Sequence, residues 1–212
     1  LLGGGSGVRR GRVSVLGGGV AGLCAARVAA GMGADVTVFD VDVARMRYID
    51  EVWGGRIGTR FSSPLAVREA CGESDVVIGS VLVPGARTPH LVDHETVLGM
   101  VPGSVLVDIA VDQGGCFEDS HPTTHADPTF VVGGSVFYCV ANMPGAVPHT
   151  STYALTNATM RYVLLLADEG WRGACGSRDD LRRGLATCGG KLVSAPVGEA
   201  LGIECVPVSE VL

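Results

Sequence analysis

The stretch Arg12-Val13-Ser14-Val15-Leu16-Gly17-Gly18-Gly19-Val20-Ala21-Gly22, followed after a short interval by Asp35-Val36-Thr37-Val38-Phe39-Asp40, decides how this chain folds. Val13, Val15 and Leu16 make a short apolar run that reads as a buried parallel strand. Glycines then occupy all three positions of a G-x-G-x-x-G turn. Gly17 permits the tight strand-to-helix turn, Gly19 lets backbone approach a pyrophosphate, and Gly22 lets the next helix pack on the strand. A helix over 20–32, opening with Val20 and Ala21, presents free N–H groups and the positive end of its dipole to those phosphates. Asp40 closes the second strand roughly 20 residues beyond the glycines, where a ribose diol is held.

Glycine spacing alone is a weak signal, because 32 glycines in 212 residues produce chance matches. Strand, turn, helix, strand and terminal acid in that order are what make it a dinucleotide site. Asp40 favours NAD over NADP, since a carboxylate accepts from the 2′-hydroxyl and repels a 2′-phosphate. Arg45 and Arg47 follow closely and pull the other way.

A net charge of −6 argues against nucleic acid as a partner, which demands a basic face. No apolar run approaches bilayer length, and Val163-Leu164-Leu165-Leu166-Ala167 reads as the core stripe of a helix. Leu1-Leu2-Gly3-Gly4-Gly5 lacks the charged and apolar regions of a secretory leader, and a chain opening on Leu reads as a piece of a longer protein. The 7 cysteines are scattered with no C-x-x-C pair, the usage of a reducing cytoplasm. All but one of the 16 basic residues are arginine, and Lys191 is the exception.

Residues 1–11 are glycine-rich and read as a linker or the tail of a preceding element. From Arg12, apolar strands alternate with helices: helix 43–52, strand 56–61, a helix opened by Pro64, and strand 75–79 ending in a Val83-Pro84-Gly85 loop. Asp93 caps a short helix, strand 104–109 follows, and a long polar loop over 112–128 leads to apolar runs at 130–132 and 136–140. This alternation predicts an α/β Rossmann fold, a doubly wound parallel sheet in two βαβ halves over 1–148. Residues 149–212 contain a helix capped by Thr150 or Ser151 and running to about 169, an arginine-rich helical piece and a strand-like Lys191-Leu192-Val193. That segment is too short for a core of its own and reads as part of a second, incomplete domain.

Ligands of such sheets sit beyond the carboxyl ends of the strands. Those ends are the glycine turn, Asp40, Ser62, Val81 and Leu82, then Ile109 through Asp112, and Val140, Asn142 and Met143. Ser62, Val81 and Leu82 are placed for the adenosine half and the phosphates, and Asp112 and Asn142 for the nicotinamide. His121 and His125 beside Cys116, Glu118 and Asp119 invite a metal reading, but the i, i+4 pairing needs a helix that His121-Pro122 disfavours, so no metal is expected. Oxidation of a carbon-bound hydride donor also needs a cation for a substrate carboxylate and a tuned base. No cation in this chain has an evident claim to that role.

The run Asp108-Ile109-Ala110-Val111-Asp112-Gln113-Gly114-Gly115-Cys116-Phe117-Glu118-Asp119, with Pro122-Thr123-Thr124-His125, resembles bacterial L-alanine dehydrogenase. So does Phe137-Tyr138-Cys139-Val140-Ala141-Asn142-Met143-Pro144-Gly145-Ala146-Val147-Pro148, continuing through Thr150-Ser151-Thr152-Tyr153-Ala154-Leu155-Thr156-Asn157-Ala158-Thr159. The resemblance implies oxidation of L-alanine by NAD and water to pyruvate, ammonia and NADH. It implies NAD contacts at Gly17, Gly19, Val20, Ala21, Gly22, Asp40, Arg45, Ser62, Val81, Leu82, Ile109, Asp112, Val140, Asn142 and Met143, with Asp112 catalytic beside the nicotinamide. It also implies a hexamer, and a substrate domain whose N-terminal half is absent here, so that this chain is inactive alone. Two alternatives stand beside it: the NAD-binding portion of a proton-translocating transhydrogenase, and a non-catalytic NAD-binding regulatory module. The run from Asp112 to Asp119 argues against the transhydrogenase.

Overall fold

The computed structural model describes residues 1–83 and 88–212, so Pro84 and Gly85 of the expected loop lie outside the described residues. The described residues fall into two compact units, one made of 1–82 with 88–143 and the other of Val83 with 144–212. The division follows Met143, earlier than the expected boundary at 148.

In the first unit, β1 (Arg12–Leu16), β2 (Asp35–Asp40), β3 (Ile57–Phe61), β4 (Val76–Gly79), β5 (Val105–Asp108), β6 (Thr129–Val132) and β7 (Ser135–Tyr138) form one sheet. Its spatial order is β3-β2-β1-β4-β5-β7-β6. Chain order runs outward from β1 to β3, then crosses back to β4 on the other side of β1, which is the doubly wound pattern. Side chains alternate across the sheet. Val13, Val15, Val36 and Val38 face a cluster with Ala26 and Ala29 of α1 (Val20–Gly31) and Ile49 of α2 (Val43–Trp53). Leu16, Phe39, Val77 and Leu106 face the opposite cluster with Val67 and Cys71 of α3 (Pro64–Glu73) and Val97 of α4 (His94–Leu98).

Local chemistry starts the helices. Asp42 caps α2 by accepting from Ala44 N at 2.8 Å, Ser63 caps α3 ahead of Pro64, and Asp93 caps α4 by accepting from Thr96 N at 2.8 Å.

The doubly wound sheet holds with one added detail, and two further expectations are corrected. The sheet is not parallel throughout: β6 runs antiparallel to β7, because Gly133 (φ 57°) and Gly134 (φ 90°) supply the two left-handed positions of a tight hairpin turn. The 112–128 loop is not merely polar. Cys116 and Phe117 within it are fully buried, and Phe117 meets Phe137 edge-on at 6.0 Å, so one aromatic anchors a hydrophilic loop to the core. Residues 1–11 do not act as a free linker. Gly11 N donates to Leu2 O at 2.9 Å, Leu2 packs on the core, and Arg9 makes a bidentate pair with Asp75 at 2.7 and 3.0 Å.

That pair gives a pH-dependent prediction. The Arg9 guanidinium, and after it the Arg12 N–H, hold the Asp75 carboxyl below its ordinary range. Its stabilisation is therefore complete above the ordinary carboxylate pKa and is lost as pH falls through the lowered value. The pair is solvent-exposed, so Asp75→Asn should lower Tm by only about 1–3 °C at pH 7. The difference should close on acidification, and an equal gap at pH 7 and pH 2 would remove the charge from the explanation.

The second unit begins with α5 (Pro148–Ser177), in which Gly170 (φ 68°, ψ 165°) breaks the helical backbone close to the expected end at 169. The expected Thr150 or Ser151 cap is displaced by Pro148 at the first turn. Ser151 Oγ lies inside the helix and donates to Val147 O or Pro144 O, each at 2.7 Å. Val163 and Leu164, expected in a core stripe, are more than half exposed, as are Tyr153 and Leu155. Beyond Gly170 the helix buries Ala174 and Cys175, and α6 (Asp179–Arg183), the hairpin of β8 (Thr187–Cys188) with β9 (Lys191–Leu192), and α7 (Ala195–Leu201) complete the unit. Among the described residues no helix is long and apolar enough to cross a membrane.

Candidate functional site

Sheet order brings the expected site residues to one edge in sequence: Ser62 after β3, Asp40 on β2, the glycine turn after β1, Val81 and Leu82 after β4, Ile109 to Asp112 after β5, and Val140 to Met143 after β7. The crevice between β1 and β4 is the switch point, where flanking connections leave in opposite directions and a ligand finds room. With strands about 4.8 Å apart, β2, which Asp40 closes, and β5, which Asp112 follows, lie about 14 Å apart, a span suited to an extended dinucleotide.

Gly17 adopts φ 101°, its N–H donates to Phe39 O at 2.8 Å, and a Cβ there would lie 3.0 Å from Ser80 O. Gly19 caps α1 in an extended conformation with no side-chain partner for the helix N–H groups, and the first turn holds no acid. A Cβ on Gly19 would meet nothing within 4 Å, so open space lies over the turn. Gly22 is the opposite case: a Cβ there would fall 1.9 Å from Gly17 O and 2.4 Å from Ser80 Oγ. Unsatisfied helix N–H groups under open space, a tight turn and a close helix-strand approach are what a pyrophosphate requires.

Asp40 Oδ2 accepts from Gly18 N at 2.6 Å and Oδ1 accepts from Asp42 N at 2.9 Å. Each oxygen keeps a lone pair that a ribose hydroxyl could fill, so the acid organises the turn and stays free to accept a further donor. Arg45 Nε donates to Gly18 O and its Nη2 to Gly19 O at 3.4 Å, while the guanidinium lies 5.2 Å from the Tyr48 ring. Ser62 N donates to Asp40 O at 2.9 Å. These residues fit the adenosine half of NAD.

At the other end, Asp112 is exposed in a single 3-10 turn, Val111–Gln113, whose exit at Gly114 has φ 104°. Asn142 is the one non-glycine at positive φ (56°) among the described residues. His125 Nε2 donates to its carbonyl at 3.2 Å, and Ala141 N donates to Thr123 O at 3.2 Å, so the 121–127 segment braces this end of the site. His121 is engaged elsewhere, stacked on Phe130 with ring centroids 3.8 Å apart. Among the described residues no group of His, Cys, Asp and Glu is arranged to hold a metal ion. Burial, with the Asp108 charge second, pushes the Cys116 thiol up to about 12, so it packs as a protonated core residue.

Two residues of the site escaped the sequence reading. Ser80 is buried, and its Oγ reaches both Leu16 O and Gly17 O at 2.9 Å, stapling β4 to the glycine turn. Asp108 is fully buried at the end of β5. The signal for each was a polar residue at the carboxyl end of an apolar strand. Cations remain scarce. The arginines of α6 pair with Asp179, which also holds that carboxyl low, and Arg178 pairs with Asp180. A cavity of about 600 Å3 lined by Arg9, Arg10, Arg12 and Arg56 lies at the amino edge of the sheet, where the C-terminal residues of α1 and of the α2 turn also line it. Guanidinium groups there complement helix C-termini and stand away from the cofactor edge.

Comparison with known proteins agrees with this fold. The family model described as alanine dehydrogenase/PNT, C-terminal domain, matches residues 1–195. An alanine dehydrogenase of Mycolicibacterium smegmatis is 58% identical over 212 residues, covering 100% of this chain and 57% of that protein. A solved L-alanine dehydrogenase superposes with a TM-score of 0.85 at 47% identity, covering 95% of this chain and 56% of the other. A transhydrogenase from Sinorhizobium meliloti gives a TM-score of 0.58 at 33% identity, covering 66% of this chain and 40% of the other. The chain thus spans little more than half the length of the curated relatives it matches.

Proposed function

This chain belongs to the alanine dehydrogenase/PNT C-terminal domain family, and from that membership we propose that it is the cofactor half of an NAD-dependent L-alanine dehydrogenase. The observation that carries the proposal is the edge of the sheet, where free N–H groups of α1, the Asp40 carboxylate and the Asp112 turn follow one another across adjacent strands. The family description covers both dehydrogenase and transhydrogenase. The dehydrogenase is favoured by a closer likeness over more of the chain, 47% identity over 95% against 33% over 66%.

In this reading the glycine turn and the first turn of α1 bind the pyrophosphate, Asp40 holds the adenosine ribose, and Arg45 fixes the turn by engaging its carbonyls. Ser62, Val81 and Leu82 line the adenosine and phosphate side. Ile109, Val140, Asn142 and Met143 bound the nicotinamide, and Asp112 manages a proton beside it. NAD supplies the hydride acceptor for L-alanine oxidation. The substrate cation and remaining catalytic groups belong to an N-terminal portion of the kind the longer relatives leave room for, and residues 149–212 complete that substrate domain. The exposed apolar side chains of α5 support this, since Tyr153, Leu155, Val163 and Leu164 await a covering surface. The completed protein is a cytoplasmic homo-oligomer, which the free cysteines support for the compartment.

The test uses this chain alone and then joined to such an N-terminal portion. The chain alone should bind NADH, seen as nicotinamide fluorescence enhancement, yet show no alanine-dependent NAD reduction. The joined protein should reduce NAD with L-alanine, and hydride transfer to an NADP analogue without alanine would favour the transhydrogenase. Turnover by the chain alone would overthrow the half-site argument, and absence of NADH binding would overthrow the cofactor assignment.

A further inference from the structure

Asp108 is a fully buried carboxylate with no arginine, lysine or histidine within ion-pair distance among the described residues. Such a group is costly unless its lone pairs are filled. Here they are filled by neutral donors from one loop. Asp108 Oδ1 accepts from Ala110 N at 3.0 Å, while Oδ2 accepts from Cys116 N at 2.7 Å and from Ser120 Oγ at 2.6 Å. Ala110 lies on the outgoing stem of the loop that carries Asp112, and Cys116 on the returning stem. The carboxylate therefore ties both stems together from beneath.

The surroundings leave this tie little freedom. Gly115 N donates to Ala110 O at 3.1 Å and closes the loop a second time. Gly115 also sits at φ 82°, and a Cβ there would lie 2.8 Å from Asp108 Oδ2. On the far side Ile109 N donates to Gly79 O at 2.8 Å, and a Cβ on Gly79 would lie 2.6 Å from Cys116 Cβ. The stem is thus wedged against β4 just before Ser80 and Val81. A side chain shifted at Asp108 moves Asp112 most directly, while Asp40 stands on β2, on the other side of β1.

We propose that Asp108 is a positioning residue that sets where Ile109 to Asp112 meet the nicotinamide end of the cofactor. The proposal rests on the cofactor-half reading above. An uncharged or a salt-bridged residue would not serve equally well. Two N–H donors and one hydroxyl converge on this carboxylate, and a carboxylate is the side chain that accepts from all of them at once.

The experiment measures NADH and ADP-ribose affinities by titration calorimetry for the chain and for Asp108→Asn, Asp108→Ala and Ser120→Ala. ADP-ribose lacks the nicotinamide and so reports the adenosine and phosphate side alone. Asp108→Ala should weaken NADH about tenfold and Ser120→Ala about threefold, with ADP-ribose held within about twofold. Asp108→Asn, which keeps one acceptor oxygen, should fall between the alanine variant and wild type. Ser120→Ala removes a single partly buried hydroxyl and keeps the test valid where Asp108→Ala fails to fold. Equal losses for NADH and ADP-ribose, or no loss for NADH in Ser120→Ala and Asp108→Asn, would overturn the positioning role while leaving the cofactor site intact. A wild-type chain that binds neither ligand would overturn the cofactor reading and the proposal with it.

Discussion

Gly22→Val should abolish cofactor binding, lowering NADH affinity by at least about 100-fold, or about 2.7 kcal/mol, and reduce the thermal stability of the first unit as well. The cause is steric. The new Cβ would stand 1.9 Å from Gly17 O and 2.4 Å from Ser80 Oγ, and neither can retreat. Gly17 O is backbone, and Ser80 Oγ is held on Leu16 O and Gly17 O at 2.9 Å each. Overpacking of this kind costs about 1–3 kcal/mol, and more where backbone must move. Helix α1 would be driven off β1, taking the N–H groups of its first turn away from the pyrophosphate. Gly19→Ala is the control, because its Cβ meets nothing within 4 Å. That variant should fold with wild-type stability and lose affinity only through its approach to the phosphates. Paired thermal melts and NADH titrations decide the matter, and identical melting of the two variants would sink the packing argument.

Asp40→Ala should weaken NADH about 30-fold, the worth of charge-assisted hydrogen bonds to a ribose diol, and leave NADPH within a few-fold of wild type. Removing the carboxylate ends its repulsion of a 2′-phosphate, and Arg45 remains on the carbonyls of Gly18 and Gly19. The carboxylate also accepts from Gly18 N at 2.6 Å, so a competing account is simple collapse of the turn. Collapse would weaken both nucleotides alike. Titrating both against the variant separates the two accounts, and an unchanged preference between them would remove the reason for naming NAD.

Much of the cofactor edge was legible in the sequence because its determinants are local. Turn, cap and strand signals act within a few residues: the glycine spacing, the acid closing β2, Pro64 opening α3 and Asp93 capping α4 all act over a single turn. The misread elements depend on distant partners. Phe117 was hidden in a polar run, and its burial is decided by Phe137 on β7. Leu2 and Arg9 looked like linker until the cluster around β1 and β2 and the Asp75 carboxylate received them. The Val163 and Leu164 stripe has the composition of a core, but composition does not say whether a partner covers it, and here those side chains are exposed.

The sequence by itself determined that a strand, a glycine turn and a helix would follow one another, and that Asp40 would stand at the adjoining strand end, since backbone sterics and hydrogen bonding settle these over short distances. Only the tertiary structure decided which strands are neighbours, and so that Asp40, the turn and Asp112 line one edge in that order. It alone gave Ser80 and Asp108 their work. A buried polar group takes its meaning from the donors and acceptors that folding gathers round it, and here those lie 63 and 64 residues away for Ser80 and up to 12 for Asp108.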